Sequence, residues 1–300
     1  MILKVRRFDP STQRSRYDRF EVRPKPGMTL LGALLYVQDR IDDTLSFRHS
    51  CRGAVCGACA VLVNKAPRLA CRTQLRALFE GTDKIELKPY PAIAATEPWN
   101  PKDEVLVEPL PHLHAIKDLV VDQRRFFHLY RMVRPTFRPS SGLPERELRL
   151  APAVVKELER YTNCILCAAC HGACPVVGKN PDYLGPAALA RLYRLGIDPR
   201  ETDLDARLAP ANGPNGWWAC ELVNNCTRVC PKGVAPSLAI GNSQRRLKES
   251  GSGSPEPKTR TGPETRNTES QSREDEPGKG DRSSDDAPRS EGADRETPTP

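Results

Sequence analysis

Between Cys164 and Pro175 the chain reads CILCAACHGACP, and no other stretch restricts its fold so tightly. Cys164, Cys167 and Cys170 recur at intervals of three, and Cys174 follows directly before Pro175. At this C-x2-C-x2-C-x3-C-P spacing the first three thiolates hold a [4Fe-4S] cube and the fourth reaches a different cluster, so a second motif must exist. It is CELVNNCTRVCP, Cys220 to Pro231, with Val223 where the second cysteine should stand. Crossing of the last cysteines assigns Cys164, Cys167, Cys170 and Cys230 to one centre, and Cys174, Cys220 and Cys226 to the other. Valine has no lone pair to offer iron, so the second centre is expected to be [3Fe-4S]. Losing that iron should raise its reduction potential, on which net charge and the apolar shell are two main levers, making it the better electron acceptor. Structural zinc sites also use paired cysteines, but as one C-x2-4-C pair repeated after a long gap, which these triplets do not follow.

Nearer the start, Cys51, Cys56 and Cys59 stand at C-x4-C-x2-C, with Cys71 twelve positions on, the plant-type [2Fe-2S] spacing. Gly53, Ala54, Gly57 and Ala58 keep that loop small, so that backbone amides can approach sulfur. Together the three sets consume all 11 cysteines and leave none as a catalytic thiol. The odd count and the absence of an apolar signal core over Met1 to Phe8 argue for a reducing compartment rather than a disulfide framework.

Around these motifs the pattern predicts strands and helices in separate halves. Ile2 to Phe8 and Tyr17 to Val22 alternate like a hairpin, and Thr29 caps a helical run from Leu30 to Ile41. Ala60 to Val63, an Asn64-Lys65 turn and Leu69 to Thr73 read as a second hairpin that presents Cys71. Farther on, Leu119 to Met132, Ala187 to Leu195 and Ser237 to Leu247 are helix-like, the last with Pro236 in its first turn.

After Leu247 there is no Val, Ile, Leu, Met, Phe, Trp, Tyr or Cys. Such a segment cannot bury enough apolar surface to offset the entropy of ordering, so 249–300 is expected to be disordered. It holds 13 acidic and 8 basic residues, net −5, which leaves the body at +13 against +8 for the whole chain. A basic body suits an acidic partner or an anionic membrane surface. Lys4, Arg6, Arg124, Arg125, Arg131 and Arg134 are candidate contacts, with a solvated face as the plainer reading. Neither a nucleic-acid motif nor an aromatic-interleaved basic stripe is present, and no apolar run approaches the ~20 residues needed to span a bilayer. There is no Gly-rich dinucleotide fingerprint, so any flavin must sit on another polypeptide. His49, His112, His114, His128 and His171 are scattered and form no acid-base constellation.

The order of centres and the stretches SCRGAVCGACAVLVNKAPRLACRT, KDLVVD, CILCAACHGACP, NPDYLGPAAL and CPKG resemble the iron-sulfur subunits of succinate dehydrogenase and fumarate reductase, over about residues 1 to 245. The resemblance implies an α+β chain: a β-grasp plant-type ferredoxin domain over 1–112, an α-helical bacterial-type ferredoxin domain over 113–248, then the tail. It also implies electron transfer between the FAD of a catalytic subunit and membrane quinone. The chain would then lie peripherally on the cytoplasmic face of the membrane, held by anchor subunits. Pro175, Lys179, Trp217, Trp218 and Glu221 are the candidate quinone neighbours. Ubiquinone-linked relatives carry a tryptophan pair where Gly178 and Lys179 stand, and often a histidine at the position of Glu221. CPVVGKNP and NGWWAC look more like menaquinone-linked fumarate reductases. Other readings are a soluble fumarate reductase or flavoprotein partner with a non-quinone donor, transfer to a thiol-disulfide partner, or a zinc scaffold.

Overall fold

A computed structural model describes residues 1–94, 97–138 and 146–251. All belong to one compact unit, Met1–Pro257. The expected disordered tail, apart from Glu249 to Gly251, lies outside the described residues.

Strands β1 (Ile2–Asp9) and β2 (Arg14–Glu21) form the first hairpin, and α1 (Leu30–Arg40) follows. Thr29 caps it by accepting from the Gly32 amide at 3.1 Å. Strands β3 (Ala60–Val63) and β4 (Ala66–Leu69) turn through Asn64 and Lys65, both left-handed at φ 45° and 68°. That pair of positive angles matches the twist of a two-residue hairpin. The strand therefore begins at Ala66, earlier than the alternation suggested, and Cys71 follows it in a turn. Pro67 is tolerated because β4 is an edge strand. After the short helices α2 (Leu75–Phe79) and α3 (Pro91–Ala94), β5 (Glu104–Glu108) enters the middle of the sheet. The order is β2-β1-β5-β3-β4, with β1 and β5 parallel and the other pairs antiparallel. Leu30, Leu31, Leu34 and Val37 of α1 pack with Leu3, Val5, Val63, Val105 and Val107. Each such leucine contributes about 1.5–3 kcal/mol by leaving water.

Two expectations need correction. Lys4 was a candidate partner contact, yet it is 2% exposed, its ammonium 3.1 Å from Glu97. The helix expected from Leu119 begins later. Asp118 turns the chain at φ 47°, and β6 (Ala115–Lys117) then pairs with β7 (Val120–Val121) before α4 (Arg124–Met132) starts. Two adjacent valines favour a strand, and Asp122 accepts from the Arg124 amide at 2.8 Å to open the helix one turn later.

The second half is helical: α5 (Pro152–Thr162), α6 (Ala169–Gly172), α7 (Pro175–Lys179), α8 (Gly185–Gly196), α9 (Leu204–Asn212), α10 (Asn225–Arg228) and α11 (Pro236–Glu249). Helix α8 is the hub, against α4, α5, α6, α9 and α11. Its Leu189 and Leu192 join Val133, Tyr161, Trp217 and Ile240 in one core. The sheet core itself runs on into the cysteine loops through Cys59, Cys167, Ala168 and Ala169. Polar ties fasten the seam. The Asn225 side chain, 1% exposed, bonds both the amide and the carbonyl of Lys88, each at 2.9 Å. Arg72 reaches the Pro231 carbonyl at 2.8 Å, and the Tyr90 hydroxyl donates to the Gly172 carbonyl. No helix of the described residues is long and apolar enough to cross a membrane.

Candidate metal centres

Between α1 and β3 the first cysteine loop is folded by left-handed residues: Arg52 at φ 54°, Ala54 at 56° and Gly57 at 74°. These reversals turn amides inward. Gly53, Val55 and Cys56 donate to Cys51 Sγ at 3.4, 3.3 and 3.3 Å. The three bonds, that from Cys56 foremost, hold the exposed Cys51 thiol down at about 6. Cys71 donates its amide to Cys59 Sγ at 3.4 Å, while burial pushes Cys59 up to about 12. Cys51 neighbours Cys56, and Cys59 neighbours both Cys56 and Cys71. All four predicted [2Fe-2S] ligands therefore gather in one place.

The helical half repeats one backbone device twice. Leu166 and Ala168 are left-handed at φ 53° and 61°, and Leu222 and Asn224 match them at 50° and 69°. Such angles are costly for residues with a Cβ, and they wrap each loop around a hollow. Cys164, Cys167, Cys170 and Cys230 line one cavity together. Cys174, Cys220 and Cys226 line another, with Val223 on its wall. The structure thus brings together Cys230 with the first motif's three cysteines, and Cys174 with Cys220 and Cys226.

Backbone amides serve these sulfurs as well: Leu166 for Cys164, Ala169 for Cys167, Leu222 for Cys220, and Val176 with Val177 for Cys174. Val234 donates to Cys230 Sγ at 3.3 Å. Burial nevertheless dominates, pushing Cys167 and Cys174 up to about 11 and Cys226 to about 12. Cys170 is driven well above the ordinary thiol value by burial and by neighbouring thiols. Iron is what makes such thiols anionic, so loading must release protons. Among the described residues no three His, Cys, Asp or Glu side chains stand close enough to hold a single metal ion. The residues thus fit clusters: convergent thiols, aimed amides and hollows for the inorganic core.

The centres adjoin. A Cβ on Gly57 would stand 2.8 Å from Cys167 Cβ and 3.0 Å from the Ile165 carbonyl, so the first loop rests directly on the second. Cys170, in turn, lies within electrostatic reach of Cys226.

Of the candidate quinone neighbours, Pro175 and Glu221 line the second cavity, and Lys179 pairs with Glu221 at 3.0 Å on the surface. Trp217 sits elsewhere, 1% exposed in the helical core. Trp218 is half-buried, with the Lys248 ammonium 5.9 Å from its ring. At Gly178 a Cβ would meet His112 Cε1 at 2.5 Å, so the histidine ring fills the space that a side chain there would need. Sequence reasoning missed Tyr183. It lay inside the quoted run NPDYLGPAAL, but nothing local revealed that its phenol lines the second cavity.

Three thiol sets in a row on a sheet-plus-helix scaffold define a multi-centre iron-sulfur electron carrier, and comparison with known proteins agrees. Residues 2–128 match a family described as a 2Fe-2S iron-sulfur cluster binding domain, and 160–234 one described as a 4Fe-4S dicluster domain. The fumarate reductase iron-sulfur subunit of Haemophilus influenzae is 32% identical over 257 residues, 81% of this chain and 91% of that protein. The succinate dehydrogenase iron-sulfur subunit of Paracoccus denitrificans is 35% identical over 246 residues, 81% and 86% respectively. A chain of the Mycobacterium smegmatis Sdh1 complex in the apo form shares the fold, at a TM-score of 0.67 and 23% identity, covering 83% of this chain and 95% of that one. The chain belongs to the family of succinate dehydrogenase and fumarate reductase iron-sulfur subunits.

Proposed function

We propose that the chain carries electrons singly between the FAD of a catalytic subunit and membrane quinone in a succinate:quinone oxidoreductase. The observation that supports this most is the succession of three thiol sets, Gly57 packed against Cys167 and Cys170 within electrostatic reach of Cys226. The set Cys51, Cys56, Cys59 and Cys71 suits [2Fe-2S], Cys164, Cys167, Cys170 and Cys230 suit [4Fe-4S], and Cys174, Cys220 and Cys226 suit [3Fe-4S]. When bound, the clusters supply reversible one-electron chemistry; the chain supplies spacing, donor amides and exclusion of water. The exposed loop around Cys51, with Val55 at 65% exposure, offers an entry face for the flavoprotein. Pro175, Lys179 and Glu221 mark the exit, where quinone and the anchor subunits meet the chain on the cytoplasmic side of the membrane. The sheet order with one covering helix suits a β-grasp domain over 1–112, and the rest to 248 an α-helical ferredoxin domain.

Anaerobic purification of the intact complex tests this. Iron and sulfide analysis should give three centres per chain, one short of an iron, and succinate should reduce them and a quinone analogue. Full cubes at both helical sites, or no acid-labile sulfide, would overturn the assignment.

A further inference from the structure

One buried polar group takes no part in the proposed electron route. Tyr183 is 1% exposed, and among the described residues no nitrogen or oxygen bonds its hydroxyl; its hydrogen-bonding neighbour is the Cys220 sulfur. Its position is fixed. The Tyr183 amide donates to the Asn180 carbonyl at 3.2 Å and the Leu184 amide to the Asn215 carbonyl at 2.9 Å. The side chains of Asn180 and Asn215 join at 2.9 Å. This brace points the phenol into the cavity of Cys174, Cys220 and Cys226, with the Cys220 sulfur as its facing neighbour.

Of the other polar groups on that wall, Ser237 is engaged with Thr227 at 2.6 Å, Asn225 with Lys88 and Glu221 with Lys179. The first cavity has no hydroxyl among its lining residues. Burying a hydroxyl without an acceptor is unfavourable, and natural interiors rarely leave one so. A phenol keeps its proton at neutral pH and is thus a donor, and the acceptor beside it is sulfur.

We propose that the Tyr183 hydroxyl donates a hydrogen bond to sulfur of the centre held by Cys174, Cys220 and Cys226, raising its reduction potential and pulling electrons toward the quinone end. This rests on the proposed assignment of a three-iron centre to those thiols. A donor at sulfur favours the more negative, reduced state, and charge-assisted bonds are the strong ones. Tyr183 is a tuning residue and touches no substrate.

The test is a redox titration of the intact complex, followed by EPR. Tyr183→Phe keeps the ring and removes the donor. The three-iron signal should persist with its midpoint lowered by about 59 mV, a roughly ten-fold shift in the oxidised-to-reduced ratio at fixed poise. The midpoint of the four-iron centre should stay put. An unchanged three-iron midpoint overturns the proposal and leaves the cluster assignment intact. Absence of a three-iron signal in the unaltered complex overturns both. Should Tyr183→Phe fail to assemble, uniform 3-fluorotyrosine incorporation decides: a more acidic phenol donates more strongly, so the midpoint rises if the bond exists and stays fixed if it does not.

Discussion

The loops Cys164–Cys170 and Cys220–Cys226 share a backbone and differ in chemistry. Each places a left-handed leucine two residues after its first cysteine, a second left-handed residue two further on, and then a single-turn helix. Each is followed by a Cys-Pro whose sulfur faces the other cavity. Against that common frame, Cys167 in one loop corresponds to Val223 in the other, and one cavity has no hydroxyl on its wall while the other carries Tyr183 and Glu221. The shape of a metal loop is thus written in its strained backbone positions, while ligand number and polarity are set by single side chains, independently of shape.

Exchanging the differing residues should break the comparison most severely. Cys167→Val leaves three thiolates in the cavity without hydroxyls, and quinone reduction by succinate should fall to background while the EPR signal of the first centre survives. The reverse change, Val223→Cys, offers a fourth thiolate on a backbone already shaped for one. Iron analysis should find one more iron per chain, the three-iron signal should vanish, and the new centre should titrate at a lower potential.

Gly57→Ala probes the seam between the first loop and the first cavity. The added carbon meets Cys167 and its backbone at under 3 Å and suffers the left-handed φ of 74°. A loss of ~2 kcal/mol or more is expected, read as a lower Tm of the complex, with slower reduction of the later centres.

The mildest test contrasts the exposed loop with the buried cavities. In the cluster-free chain the amides around Cys51 lower its pKa to about 6, whereas burial keeps Cys167, Cys174 and Cys226 near 11 to 12. At pH 7 the Cys51 thiolate predominates and the others remain protonated. Any stability it lends the folded chain grows as pH rises above about 6 and disappears below. Iodoacetamide should therefore label Cys51 first at pH 7 and lose that preference near pH 5, as mass spectrometry would record.

Much of the site was legible because cysteine spacing is chemistry written locally: the crossed assignment needs only counting. The Thr29 cap and the first hairpin were equally local. What escaped depended on distant partners. The alternation of Ile2 to Phe8 suggested a wet basic face, yet Lys4 meets Glu97, and Arg7 meets Asp42 at 2.5 Å and Asp118 at 3.0 Å. The pairing of Val120 and Val121 with Ala115 and Lys117 likewise overrode a helical periodicity, and Tyr183 gained its meaning only once Cys220 was folded beside it.

Asn225 carries one more consequence. Its amide imitates a neighbouring strand, offering Lys88 a donor and an acceptor from a point 137 residues later in the chain. It precedes Cys226, so the imitation holds only once the last loop has closed. The stretch Glu86–Tyr90 is thereby fastened from far along the chain, by Arg228 at the Glu86 carbonyl at 3.3 Å and by the Gly172 carbonyl at the Tyr90 hydroxyl, so its anchorage is completed by the last part of the fold.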